Sequence, residues 1–268
     1  MKAYITLLSN EAYLPGVKVL HKSLKSVGAQ YPLVCALSLS IGEDVKLVLE
    51  KEGIPCVKLT RKAVEGNMNP CGKSFSHWNY TFDKLLIWGL EQFDKLVFLD
   101  SDMLVVRNID HLFEKEAFSS VCAGRSYPGN EHWTGLNSGL MVIEPDKNFE
   151  FRLLNSIDSV VKIAKSNNQL VGDQDVLKYV LSDWVEHPNL HLDEGYNLFA
   201  DHLTYYIKYL GYSLGESAEK KPIYVIHFIG KAKPWIKKNL RVWVWLLKMW
   251  IENPFYYHAY QQFTDYMK

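Results

Sequence analysis

An apolar run that ends on two acidic residues one apart dominates this chain: Lys95 to Asp110 reads KLVFLDSDMLVVRNID. Leu96, Val97, Phe98 and Leu99 are apolar without alternation, which predicts a strand covered on both faces inside a mainly parallel sheet. Asp100 and Asp102 then fall at its C-terminal end. Ligands of open α/β sheets collect at the carboxyl ends of strands, and two carboxylates there can hold a hard divalent cation that carries phosphate oxygens. The plainer reading of a lone D-x-D is a strand-end turn with two solvated aspartates, since three residues match often by chance. The company the motif keeps decides between the two.

Upstream, Ala3 to Leu8 reads as a strand. Tyr13 to Leu24 carries Leu14, Val17, Leu20 and Leu24 at helical spacing. Pro32 to Leu39 is a second apolar run, Glu43 to Glu52 a short helix and Pro55 to Leu59 a third strand. This β-α-β-α-β alternation marks a nucleotide-binding parallel sheet. No G-x-G-x-x-G follows the first strand, which argues against a dinucleotide cofactor. Thr60 to Asn79 is polar, with Gly66, Pro70 and Gly72, and long enough for a functional loop. Thr81 to Phe93 places Phe82, Leu85, Leu86 and Trp88 for a helix beside the acidic strand.

Downstream, Ile109, Leu112 and Phe113 begin a short helical stretch, and Cys122 to Trp133 is loop-like around Pro128 and Gly129. Leu136 to Glu144 is a strand opening on Asn137, Ser138 and Gly139. Phe149 to Ala164 is helical, Asn167 to Gln174 is a polar turn, and Val176 to Leu181 is a helix. Ile223 to Phe228 is the last strand and runs into HFIGKAKPW. There is no internal repeat, low-complexity tract or dividing linker.

With 268 residues the chain can bury a large core. Its 30 basic and 30 acidic residues leave a net charge of +0, so no global field attracts nucleic acid. Cys35, Cys56, Cys71 and Cys122 have no C-x-x-C spacing and read as reduced, mostly buried thiols of a cytoplasmic protein. The start, MKAYITLLSNEAY, has too short an apolar run for a signal peptide, and nowhere do 18 apolar residues run together. A soluble, unexported protein is expected.

Asp100-Ser101-Asp102, Asn137-Ser138-Gly139, Gly172-Asp173-Gln174 and His227 to Trp235 occur in the order found in glycosyltransferase family 8. From Ala3 to Trp235 the chain resembles that family, its glycogenin and galactinol synthase branches in particular. Thr6 to Tyr13 resembles the family's opening uridine-side segment. The resemblance implies a single GT-A domain, Rossmann-like with a mainly parallel central sheet flanked by helices. It also implies a UDP-sugar donor, a manganese ion, transfer of glucose or galactose with retention, and a carbohydrate, polyol or other hydroxyl acceptor. A homodimer is compatible with it. Residues 1–235 would then be the catalytic domain and 236–268 a helical extension.

Chemistry agrees with this. Breaking a nucleotide-sugar bond releases a diphosphate, so negative charge growing on the leaving oxygens must be neutralised. A divalent cation on Asp100, Asp102 and His227 would do that as a Lewis acid. The mixed oxygen and nitrogen set suits manganese better than calcium, with magnesium a second choice. His227 alone reads equally as a hydrogen-bonded strand-end histidine. Gly230 lets backbone reach the diphosphate, and Lys233 can set an ammonium on the same phosphates, although most single lysines are solvated. Lys84 matches a donor-contacting family position, against the alternative of a snorkelling helix lysine. Asn137 and Ser138 fix sugar hydroxyls or cap the strand entry. Asp173 and Gln174 match the family pair near the anomeric carbon, the ordinary alternative for Asp173 being a helix N-cap. Leu7, Ser9, Asn10 and Tyr13 inherit the uracil and ribose role from the resemblance, and Ser101 joins the donor set.

Two positions depart from glycogenin. Leu170 stands where it has an acidic residue, and the place of its self-modified tyrosine falls on Thr204, with Tyr205 and Tyr206 just after. A separate acceptor is therefore expected, with a self-glucosylating primer the alternative. Two further readings are a haloacid-dehalogenase-type phosphatase and a non-catalytic UDP-sugar scaffold. The phosphatase family wants its D-x-D after the first strand and Thr or Val where Leu104 stands. In Lys237 to Trp250, Lys237, Arg241 and Lys248 fall near one helical face and Trp243, Leu247 and Trp250 near another. That suits either a helix docked by its aromatics or one lying on an anionic membrane surface.

Overall fold

The computed structural model describes residues 1–65, 73–230, 233–236 and 240–268, with backbone only at 73–80 and 241. Two β-α units and a third strand open the chain: β1 (Lys2–Leu8), α1 (Leu14–Ser26), β2 (Leu33–Leu37), α2 (Glu43–Lys51) and β3 (Cys56–Lys58). A 3₁₀-wound segment over Lys73–Gly89 leads to β4 (Lys95–Leu99) and β5 (Met103–Val105). Then come β6 (Ser120–Val121), β7 (Asn137–Ile143), α3 (Lys147–Ser166), α4 (Asp173–Val180), β8 (His191–Leu192), β9 (Leu198–Phe199) and α5 (Leu203–Tyr209). β10 (Tyr212–Ser213), β11 (Lys221–Pro222), β12 (Val225–His227), α6 (Leu240–Glu252) and α7 (Pro254–Tyr266) complete the chain.

The main sheet runs β3-β2-β1-β4-β7-β6-β8, and only β7 opposes the common direction. β4 is the central strand, and its alternate residues feed two different cores. Leu96 and Phe98 pack with Phe82, Trp88 and Leu153, while Val97 and Leu99 pack with Leu20, Phe113 and Leu140. That two-sided cover is the physical reason for its unbroken apolar run. A second, three-stranded sheet, β5-β12-β9, crosses over the C-terminal edge of the first.

Three expectations change. The helix predicted over Thr81 to Phe93 ends at Gly89, because Phe82, Leu85, Leu86, Ile87 and Trp88 are all buried, wrapping more than one face. The loop predicted over Thr60 to Asn79 lies partly outside the described residues, and from Lys73 onward it is already helical. The last strand begins at Val225 rather than Ile223 and ends on His227. Of the cysteines, Cys35, Cys56 and Cys122 are free thiols, only Cys35 fully buried, while Cys71 lies outside the described residues. No helix of the described residues is long and apolar enough to cross a membrane.

α7 docks through Tyr256, Ala259, Tyr260 and Phe263 onto the core that holds Leu104, Ile226 and Phe228. α6 adds Leu246, with Val242, Trp245 and Met249 half-buried against it. Of the two alternatives for this stretch, docking does not run through Trp243, Leu247 and Trp250, which are more than half exposed because helical geometry turns them away from the Leu246 side.

Candidate active site

At the end of β4 the chain turns at once, Met103 N–H donating to Asp100 O at 3.2 Å, and enters β5. Antiparallel pairing of β12 with β5 sets His227 opposite Met103, and Phe228 N–H donates to Asp102 O at 3.0 Å. His227 thereby reaches the two aspartates. One ligand atom from each of Asp100, Asp102 and His227 lies within 4.8 Å of the others. His227 Nε2 is 3.1 Å from Asp102 Oδ1 and 3.8 Å from Asp100 Oδ2.

A buried relay sets the imidazole. Asn197 Oδ1 bonds His227 Nδ1 at 2.9 Å, and Asn197 Nδ2 donates to Asn137 Oδ1 at 2.8 Å, which also accepts from Gly139 N–H at 3.0 Å. With Nδ1 held this way, Nε2 faces the carboxylates, the arrangement a histidine metal ligand needs. A Cβ at position 139 would stand 2.9 Å from His227 Cε1, so only glycine leaves room for the ring. Two carboxylate oxygens and an imidazole nitrogen at this spacing fit a divalent cation.

Two buried lysines hold the aspartates. Lys84 Nζ lies 3.0 Å from Asp100 Oδ1 and 3.0 Å from Asp173 Oδ2, donates to Ser138 O at 3.2 Å, and sits 4.7 Å over the Phe98 ring. Lys233 Nζ bonds Asp102 Oδ2, donates to Phe228 O at 2.7 Å and lies 5.8 Å over the Tyr13 ring. At 5% and 9% exposed, neither lysine snorkels or dangles in solvent. Burial alone would raise the Asp102 carboxyl, but His227 and Lys233 outweigh it and hold it well below the usual carboxylate range. Asp100 goes the other way. Removal from water raises it, and although Lys84 pulls it down, the neighbouring Asp102 adds to the rise. Burial opposes the Lys84 charge, yet Asp100 and Asp173 more than restore it and the ammonium is held charged.

Asp173 opens α4, but it is not the cap. Gly172 occupies that place and its N–H donates to Asp175 Oδ2 at 2.9 Å, which leaves the Asp173 carboxylate to Lys84. Gln174 Oε1 accepts from Ser138 N–H at 3.1 Å. Asn137 Oδ1 is committed to the relay, so that oxygen supports His227 and is not offered to a sugar. Asn10 Oδ1 caps the turn into α1 by accepting from Ala12 N–H at 2.9 Å. Burial raises the Tyr13 phenol, whose ring meets Trp235 edge-on at 5.5 Å. Gly230 takes φ +83°, a left-handed turn open to glycine.

All the residues singled out by sequence line one cleft of 1310 Å³: Leu7, Ser9, Asn10, Tyr13, Lys84, Asp100, Ser101, Asp102, Asn137, Ser138, Asp173, Gln174, His227, Gly230 and Lys233. Sequence reasoning missed Asn197, Trp133 and Lys178. Asn197 carries the one readable signal, a polar residue directly before the short apolar strand β9.

A mainly parallel sheet with its polar cleft at the strand ends, and a second small sheet bringing a histidine to the D-x-D carboxylates, is the architecture of a GT-A glycosyltransferase. The fold superposes with a TM-score of 0.63 on the galactosyltransferase LgtC, solved with donor and acceptor sugar analogues, at 16% identity over 100% of this chain and 95% of that one. The chain belongs to glycosyl transferase family 8, whose sequence model matches residues 4–239. It is 32% identical to glycogenin-1 of Caenorhabditis elegans over 87% of this chain and 51% of that protein. It is also 32% identical to a putative UDP-glucuronate:xylan alpha-glucuronosyltransferase 3 of Arabidopsis thaliana, over 88% of this chain and 35% of the relative. The chain thus spans about half or less of these two relatives' length.

Proposed function

We propose that this protein is a divalent-metal-dependent, retaining hexosyltransferase that moves glucose or galactose from a UDP-sugar to a hydroxyl of a separate acceptor. The observation that carries the reading is the convergence of Asp100, Asp102 and His227 with two buried lysines in one cleft. Asp100, Asp102 and Asp173 face Lys84 and Lys233, so with all three carboxylates ionised the cleft carries one excess negative charge. A divalent cation reverses that sign and suits a diphosphate.

Asp100, Asp102 and His227 would hold the ion, manganese being the best match to their donors, and it would supply Lewis-acid stabilisation of the leaving diphosphate. Lys233 can turn from Asp102 to the departing phosphates once the carboxylate has another partner, adding a charge-assisted bond as charge develops. Lys84 ties Asp100 to Asp173, and so sets the metal-side carboxylate relative to the start of α4. Gln174, pinned by Ser138 N–H, and Asp173 stand where the sugar would lie. Leu7, Ser9, Asn10 and Tyr13, which line the cleft at and just after the end of β1, suit the uracil and ribose. The donor and catalytic groups all lie within 1–235.

A separate acceptor is supported by the surroundings of α5. The Thr204 hydroxyl bonds Asn253 Oδ1, the Tyr206 hydroxyl bonds Glu194, and neither these residues nor Tyr205 lines the cleft. The phosphatase reading falls with family membership and with the D-x-D lying after the fourth strand. Incubation with UDP-glucose, UDP-galactose and UDP-glucuronate, manganese and a panel of glycosides, beside a generic phosphate ester, tests the proposal. Metal-dependent UDP release is the expected result. Phosphate release would return the phosphatase, and no release would leave a scaffold.

The partner reading extends to α6. Leu240, Trp243, Val244, Leu247, Trp250 and Ile251 are all more than half exposed, and Lys237, Lys238, Arg241 and Lys248 accompany them in sequence. Exposed indoles with basic neighbours suit peripheral attachment to an anionic membrane surface. Co-sedimentation with anionic but not neutral liposomes is expected. Binding indifferent to lipid charge would remove this role, and a concentration-dependent dimer would give the face to a second copy.

A further inference from the structure

The cleft is larger than its donor half. About 300–1,000 Å³ accommodates one drug-sized ligand, and 1310 Å³ leaves room for a second. The lining continues along α4 past Gln174. On α4, Gln174 and Lys178 stand one helical turn apart on the same face, and Leu181 continues that row past the helix end. All three line the cleft, together with Val185. A rise of about 1.5 Å per residue puts Lys178 roughly 6 Å farther out than Gln174, about one pyranose ring away from the donor sugar.

Trp133 also lines the cleft, 39% exposed and in edge-on contact with Phe199 at 6.4 Å. An indole in the wall of an open cleft can cover the C–H face of a sugar ring. Leu170 closes the side and brings no acid. Lys178 lays its methylenes over Gly135, where a Cβ would meet its Cε at 2.9 Å. Its ammonium has no carboxylate within ion-pair distance among the described residues. Asp175, one turn back, feels the Lys178 charge but is hydrogen-bonded to Gly172 N–H rather than paired with the ammonium, and Asp183 pairs with His187 at 3.3 Å. Lys84 and Lys233, by contrast, are both engaged by aspartates. Lys178 is thus a cation of the cleft left for something brought in from outside.

Building on the reading of the cleft as a sugar-transfer site, we propose that Trp133, Lys178 and Leu181 form the acceptor subsite and that the acceptor is a glycoside bearing an anionic group, a carboxylate or a phosphate ester. The indole supplies ring contact common to any pyranoside, while Lys178 discriminates by charge. Arginine keeps that charge and glutamine removes it, and the exposed site makes either change tolerable to the fold.

Wild-type protein loaded with manganese and UDP is titrated with methyl glucoside, methyl glucuronide and methyl glucoside 6-phosphate, each followed by equilibrium binding. The anionic glycosides should bind about tenfold tighter or better than the neutral one, the factor expected from one charged hydrogen bond. Lys178→Gln should erase the difference, Lys178→Arg should keep it, and Trp133→Ala should weaken all three. Failure of UDP to bind the wild type would count against the donor-site reading itself. UDP binding with no preference among the glycosides, with none bound, or with a preference that survives Lys178→Gln would overturn the acceptor proposal alone.

Discussion

His227 Nδ1 is bonded by Asn197 Oδ1 at 2.9 Å, and Asn197 is fully buried and bonded in turn to Asn137. The nitrogen facing the two carboxylates is therefore aimed by a residue outside the cleft lining. Removing that support with Asn197→Ala should lower manganese affinity about 10–100-fold, the usual effect of losing a hydrogen-bond partner of a ligating histidine. Electron paramagnetic resonance titration of free manganese reads this directly. Unchanged affinity would show that packing alone orients the ring.

Asp102 serves His227 and Lys233 at once, so its loss has two readouts. Asp102→Asn should reduce metal-dependent transfer by about 10²-fold or more, since Lewis-acid stabilisation is worth several kcal/mol. It should also lower metal-free stability by about 1–3 kcal/mol, because Lys233 is left charged and buried without its counter-ion. Urea denaturation without metal, beside a thermal shift on adding manganese, separates the two. Full activity of the variant in a chelator would sink the assignment.

For Lys233, the expected signature is kinetic. A contact strengthened as the diphosphate departs acts on the transition state, so Lys233→Ala should lower kcat far more than it raises the donor KM. A change confined to KM would make the lysine a ground-state binding group.

The pH dependence of stability centres on His202. Its ring stacks on Tyr127 at 3.8 Å, its Nδ1 finds no hydrogen-bond partner among the described residues, and burial pushes its pKa down from 6.5 to about 4. Below about pH 6.5 the unfolded chain takes up this proton while the native one does not until about pH 4. Stability should fall as pH drops through that window, by about 2–3 kcal/mol in all. Denaturation at stepped pH checks it, with His202→Gln expected to flatten the slope. An identical slope in the variant would move the effect to other groups.

Much of this was legible in the chain because it is local. The unalternating run at Leu96 to Leu99 announces a strand covered on both sides, and the motifs from Asp100 to Trp235 name a family whose cleft the structure indeed assembles. Each depends on neighbours along the backbone or on spacing within one element. Other features depend on groups far apart in sequence meeting, and nothing local marks them. The β5·β12 register that brings His227 to Asp102, the Asn137–Asn197 relay, and the service of Lys84 to both Asp100 and Asp173 are of this kind. The cap at Gly172 is local, Asp175 lying three residues on, but that Asp173 is thereby left for Lys84 is decided only by the fold. Periodicity leaves open which face of α6 is covered, and packing against the α7 core buries the Leu246 side and leaves Trp243, Leu247 and Trp250 exposed. Hydrophobic pattern is written residue by residue, whereas hydrogen bonds and ion pairs between distant segments exist only once the sheets have closed on one another.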